Sequence, residues 1–295
     1  MPSKHAVDVK PPYRLDLTVD ALRRLAANVV DTVDENGVYR RVLADEAGAN
    51  LIEVSQASPK APVLVTIGGR DAKRWLPSVE RMLGFDAQVD EWYKRVKPFP
   101  WLAHLAKELK GLRPPRYPSL FEALAHSIVF QQISIYAAGA IMRRMVEALG
   151  TPIEHAGSTL YAFPLPHDVL QAPDEKLRSA GLSANKVMHL RSAAQAILDG
   201  AVREDAIAEL STPEAAVALT QVRGIGPWSA AVVLLRGFGR LDIFPMKDSG
   251  VARSVKLLSG NPSIDLDALL TALGPVRGML YFHLLLGRIH GIVPP

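Results

Sequence analysis

Two glycines flanking a single residue, in Arg223-Gly224-Ile225-Gly226-Pro227, constrain this 295-residue chain more than any other feature. Upstream, Ala218, Leu219 and Val222 read as the end of an apolar helix. Downstream, Trp228-Ser229-Ala230 opens a second helix that stays apolar to Leu235. Glycine turns the backbone without a Cβ clash, and Pro227 is preset for a first helical turn. The pattern is a helix-hairpin-helix whose turn presents free amide groups at the positive end of a helix dipole, which suits a phosphate. The amides of Gly224, Gly226 and Ser229 are the expected contacts. Such contacts hold a nucleic-acid backbone without reading its bases.

Charge agrees locally. The whole chain carries a formal charge of +4, and the segment from Val222 to Gly260 carries the same +4 by itself. Arg223, Arg236, Arg240, Lys247, Arg253 and Lys256 there face only Asp242 and Asp248. A local positive field beside a phosphate-binding turn is the footprint of a DNA-binding face, with Arg223, Lys247 and Arg253 its expected cations. Arg236 and Arg240 fit an ordinary solvated surface equally well.

Composition excludes several classes. With no cysteine, disulfides, cysteine-ligated zinc and an iron–sulfur cluster are impossible. No apolar run reaches the roughly twenty residues of a membrane-spanning helix, and no apolar signal segment follows the first residues. A cytoplasmic, monomeric protein with no membrane partner is expected, associated with the nucleoid if bacterial.

Residues 1–12 read as a loose end, Tyr13–Val19 as a half-buried strand, and Asp20 as the N-cap of a helix carrying Leu22, Leu25, Ala26, Val29 and Val30. Asn36-Gly37 signals a tight turn. Strand-like runs follow at 38–43, 51–55 and 63–67, then a helix over 70–85. Together they make a small α+β unit ending near residue 97. From 98 to 295 helices alternate with proline and glycine, the hairpin pair occupying about 211–237. The expected fold is mainly α, an all-helical body with a small N-terminal α+β domain built on an antiparallel sheet.

A G-I-G-x-W-[ST]-A hairpin with an aspartate twenty residues after its tryptophan resembles the helix-hairpin-helix (HhH-GPD) DNA glycosylase superfamily, most closely the bacterial DNA-3-methyladenine glycosylase II type. Gly111-Leu112-Arg113-Pro114-Pro115, Phe121-Glu122-Ala123-Leu124 and Ile128–Ser134 have counterparts in the same order. The similarity runs from about Tyr13 to Ile289.

The resemblance implies an enzyme that flips a damaged base, an alkylated purine, out of double-stranded DNA and hydrolyses its N-glycosidic bond. It places the catalytic carboxylate at Asp248. Chemistry agrees, because base departure builds positive charge on the deoxyribose and a carboxylate stabilises it. Asp248 also suits a helix N-cap, and the two roles are compatible. Asp242 aligns with no catalytic position and reads as structural.

Bifunctional relatives carry a nucleophilic lysine where Trp228 stands. An indole forms no Schiff base, so the reaction should stop at an intact abasic site. The base pocket falls on Trp228, Val232, Ser249 and Val276, of which only the first is aromatic. Phe130, Tyr136, Phe238, Phe244, Tyr281 and Phe282 are candidates either to replace the missing rings or to fill the core. Gln131-Gln132 lies where relatives push a side chain into the minor groove, with Gln132 at the wedge position. The family's monovalent cation maps onto the carbonyls of Thr220, Val222 and Ile225, and no cofactor is required. His283 and His290 read as structural or DNA-facing. A non-catalytic DNA-damage binder stands as the alternative, favoured by the depleted aromatic pocket and opposed by Asp248.

Overall fold

The computed structural model describes residues 2–69, 72–246 and 248–292. Strand β1 (Ser3–Val7) precedes helix α1 (Leu15–Arg23), and β2 (Thr32–Val33), β3 (Tyr39–Asp45), β4 (Gly48–Gln56) and β5 (Val63–Ile67) follow. They form one antiparallel sheet in the order β1-β5-β4-β3-β2. Ile52, Val54, Val63, Val65 and Ile67 supply its buried face.

Three expectations for this region are corrected. Residues 1–12 are not a loose end, since Ser3 to Val7 pairs with Ile67 to Val63 at the sheet edge. Tyr13–Val19 is no strand. Leu15, Leu17, Thr18, Val19, Ala21 and Leu22 are all buried in α1, and burial on nearly every side satisfies a period of two as well as one of 3.6. Asp20 lies inside that helix, paired with Arg23 at 3.0 Å. The helix expected after it never runs to Val30. The chain leaves at Arg24, and the Asn28 carboxamide oxygen accepts from the Val30 and Asp31 amides at 2.9 and 3.0 Å. Such side-chain bonds compete with helix propagation.

A 3₁₀ turn (Ala72–Trp75) leads into α2 (Leu76–Met82), with Pro77 resetting the helix start where one continuous helix was expected. Then come α3 (Asp90–Arg95), α4 (Pro100–Glu108), α5 (Leu120–Val129) and α6 (Ile135–Leu149). A hairpin of β6 (Pro152–His155) and β7 (Ser158–Tyr161) precedes α7 (Pro166–Gln171), α8 (Asp174–Ser179), α9 (Ala184–Leu198), α10 (Glu204–Glu209) and α11 (Thr212–Leu219). The last are α12 (Pro227–Gly237), α13 (Ser249–Ser259), α14 (Leu266–Leu273) and, after a short 3₁₀ turn, α15 (Met279–Ile289). Serine hydroxyls open several of these helices. Ser119 accepts from the Glu122 amide and Ser134 from that of Ala137, both at 3.2 Å. Ser211 and Glu214 close a capping box on α11.

Among the described residues two large hydrophobic cores and a small third one around Val42, Leu160 and Ala162 hold the fold together, and each large core draws on both halves of the sequence. One joins the sheet to α5, α9 and α12 through residues such as Tyr39, Ile52, Leu124, Leu190 and Val233. The other joins Leu17 and Ala21 of α1 to α3, α4, α13, α14 and α15. A buried ionic cluster crosses the first seam. Arg41 donates to Asp31 at 2.6 Å and to Glu122 at 2.5 Å, and the Tyr39 hydroxyl donates to Asp31 at 2.7 Å. Burial pushes the Glu122 carboxyl up to about 7 against the pull of Arg41.

Candidate active site

The hairpin forms between α11 and α12. Its first glycine is demanded by the protein itself. Gly224 has φ +88°, and a Cβ there would meet the His189 ring at 2.3 Å. Gly226 differs, because a Cβ added to it would meet nothing within 4 Å. It is the N-cap of α12, followed by Pro227. The first-turn amides of a helix have no intrahelical acceptor; Gly226 is exposed, Trp228 half-buried and Ser229 buried, so the expected contact at Ser229 lies below the surface. The Val222 carbonyl already accepts from the Ile225 amide at 3.0 Å.

Gln131 ties this hairpin to the end of α5. Its side-chain amide donates to the Gly224 carbonyl at 2.9 Å and to the Ser229 hydroxyl at 2.8 Å. The NH₂ of the carboxamide expected to face DNA is therefore engaged within the protein, Gln131 being half-buried and Ser229 buried. From below, the Lys186 ammonium donates to the Val129 and Gln131 carbonyls at 2.7 and 2.9 Å. Gln132 is left at the apex, exposed, with φ +57°. Ile133 beside it and Tyr136 one turn on are exposed apolar side chains.

Asp248 caps α13, as its sequence context suggests. Oδ1 accepts from the Gly250 and Val251 amides at 2.9 and 3.0 Å. Oδ2 accepts from the Trp228 indole N–H at 3.1 Å. A carboxylate offers about four lone-pair sites, so these three bonds fix its direction and leave one site on Oδ2. Lys247 lies outside the described residues, and so does the side chain of Ser249, whose backbone opens α13.

Arg24, which sequence periodicity gave no reason to single out, completes the wall. It ends α1 with φ 60° and ψ −41°, and only 9% of it is exposed. Its guanidinium lies 4.8 Å from the Phe130 ring centroid and donates to the Tyr281 hydroxyl at 3.1 Å. Burial acts to lower its pKa, but the fields of Tyr117, Tyr281 and Asp248 hold it above the ordinary arginine value. Of the six aromatic candidates, Phe130 and Tyr281 flank Arg24. Phe244 and Phe282 are core, Phe238 packs partly against the core, and Tyr136 is exposed.

The remaining candidates divide. Val232 is buried one turn beyond Trp228, and Val276 is buried in the C-terminal core. Arg223, Arg253 and Lys256 are exposed. Arg236 is not solvated surface, and Arg240 is half-buried. Arg236 is fully buried and donates to the Ala21 and Leu22 carbonyls, while Arg240 binds Thr212 and the Ile207 and Ala208 carbonyls. Asp242 accepts from Thr212 at 3.0 Å. His283 is buried against Trp92, and His290 lies 3.2 Å from Asp20. A cavity of about 560 Å³ lies elsewhere, lined by Arg41, Trp75, Glu122, Phe163 and Arg203 among others. Neither Trp228 nor Asp248 borders it.

Residues 125–272 match the model of the HhH-GPD superfamily base excision DNA repair proteins, and residues 5–119 match that of the AlkA N-terminal domain. The chain is 26% identical over 230 residues to a DNA-3-methyladenine glycosylase of Bacillus subtilis, 76% of each chain being covered. Its fold superposes on a 3-methyladenine DNA-glycosylase from Archaeoglobus fulgidus with a TM-score of 0.80 at 25% identity, covering 99% of this chain and 100% of the other. A Schizosaccharomyces pombe 3-methyladenine DNA glycosylase in complex with abasic DNA superposes with a TM-score of 0.53 at 25% identity, over 64% and 91% of the two chains.

Proposed function

The chain belongs to the HhH-GPD superfamily of base excision DNA repair proteins, and from that premise we propose that it removes damaged purines from duplex DNA as a monofunctional glycosylase. That it is a DNA glycosylase of base excision repair follows from the family and from relatives named for that activity. The finer reading rests on one observation, the bond from the Trp228 indole to Asp248.

A nucleotide turned out of the helix brings C1′ of its sugar toward Asp248. As the C1′–N bond lengthens, positive charge spreads over the sugar, and the anchored carboxylate stabilises it. Water then adds to C1′, and the remaining lone pair on Oδ2 can orient or deprotonate it. Trp228 occupies the position of the lyase lysine and has no amine to offer, so no covalent intermediate forms there. The open face at Gly226, with the first amides of α12, grips a phosphate beside the lesion. Arg223 and Arg253 add sequence-independent attraction. Gln132, or exposed Ile133 beside it, fills the space the base vacates. A hard monovalent cation suits the three neutral carbonyl oxygens of Thr220, Val222 and Ile225, where it would stiffen the turn.

Product analysis tests this reading. A duplex bearing a damaged purine should yield free base and an unbroken strand that is cut only after alkali. Borohydride should trap no enzyme–DNA adduct. A trapped adduct would overturn the monofunctional assignment.

A further inference from the structure

A series of contacts leads from Arg24 to Asp248. Arg24 lies over Phe130, and the next residue, Gln131, bonds to Ser229. Trp228, the residue before Ser229, donates to Asp248, and the charge of Asp248 is felt at Arg24. The wall therefore contains a permanent cation, and it covers an aromatic face. A π-face attracts a positively charged base, but the Phe130 ring already carries the chain's own guanidinium.

The backbone at this point indicates that the side chain matters. Arg24 holds φ 60° with ψ −41°, a region sparsely populated by non-glycine residues and costly to maintain. Glycine is the common residue where a helix ends with positive φ. Arg24 is nine-tenths buried, and its Nε has no hydrogen-bond partner. Buried Arg41 and Arg236 also leave a guanidinium nitrogen without a partner, so it is the strained backbone that sets Arg24 apart from these structural arginines.

We propose that Arg24 is a specificity-determining residue that steers the pocket toward neutral damaged purines and away from cationic N-alkylpurines. The inference rests on the glycosylase reading above and names the charge class of its substrate. A planar guanidinium stacks on a neutral base and donates to acceptors on its ring edge. 1,N6-Ethenoadenine, an uncharged alkylation product, has that character. 7-Methylguanine in DNA carries a formal positive charge, so Arg24 repels it and disfavours its entry into the pocket.

The test compares single-turnover release of 1,N6-ethenoadenine and 7-methylguanine from otherwise identical duplexes by wild type, Arg24→Met and Arg24→Lys. Arg24→Met should shift the release ratio toward 7-methylguanine by about tenfold or more, the order expected for unit charges several ångström apart at a protein-like dielectric. Arg24→Lys keeps the charge and should leave the preference for the neutral base in place. The same two bases on 2′-fluoro sugars, which resist release, give the ratio as binding affinities. A ratio unmoved by Arg24→Met, in excision and in binding, overturns the assignment of Arg24 while leaving the glycosylase reading intact. A binding ratio that Arg24→Met shifts, where the wild type itself releases no base, supports Arg24 and overturns the enzyme instead.

Discussion

Three N–H donors and the field of a guanidinium converge on the carboxylate of Asp248, which makes the site sensitive to a one-atom change. Asparagine at 248 keeps an acceptor for the Gly250 and Val251 amides. Its NH₂ group, however, faces the Trp228 indole N–H, so two donors meet where donor and acceptor met before. At ~4 Å and an effective dielectric of ~20 the lost attraction to the sugar cation is about 4 kcal/mol, or roughly three decades of rate. Asp248→Asn should lose excision by that order and keep its duplex affinity, as single-turnover release and binding isotherms would show. Near-wild-type release would reassign the chemistry. Asp248 is legible in sequence because an Asp-Ser-Gly run at a helix start has a local meaning. Arg24 is not, since its position depends on a helix ending early, and that ending depends on the Asn28 side chain.

The hairpin separates two uses of glycine at the level of the element. Gly224 is required by the fold, with φ +88° and the His189 ring in the way of any Cβ. Gly226 is unconstrained by neighbours and exposed, on the face proposed to meet DNA. Gly224→Ala should therefore lower the unfolding midpoint. Gly226→Val should unfold like wild type yet bind all duplexes more weakly, lesion or not. Over a salt series log affinity should fall with a slope near −0.9 per phosphate neutralised, and the Gly226→Val line should lie below the wild-type line for matched lesion and lesion-free DNA. Loss confined to lesion DNA would move the hairpin into the base pocket. Long helices with serine or aspartate caps, such as α5, α6 and α13, are readable from sequence because each carries its own start signal. α3, α10 and the β6–β7 hairpin are not, being four to six residues per element and held by contacts distant in sequence.

Across the whole molecule, both large cores straddle the early and late halves of the chain, and His283 shows what that costs in acid. Its ring is fully buried, Nε2 accepting from Trp92 at 3.0 Å and Nδ1 bonding the Met279 carbonyl at 2.9 Å, an arrangement for the neutral form. Burial lowers its pKa to about 4. A depressed histidine pKa means that the unfolded chain takes up the proton first. This contribution to stability is intact above about 6.5 and is lost progressively as pH falls toward 4. The shift corresponds to about 3 kcal/mol. Urea unfolding of wild type and His283→Gln between pH 7 and pH 4 should show the variant losing less by that order, and parallel slopes would refute it. The Gln131 bracket has a different kind of consequence. One side chain fixes the spacing between the hairpin and the turn that carries Gln132, so with the proposed DNA contacts the protein would act as a ruler laid along the duplex. It should measure from a phosphate, not merely hold one. As a lesion is moved toward a strand end, one base pair at a time, excision should stay level and then stop in a single step, at the duplex that no longer supplies the phosphate beneath the hairpin.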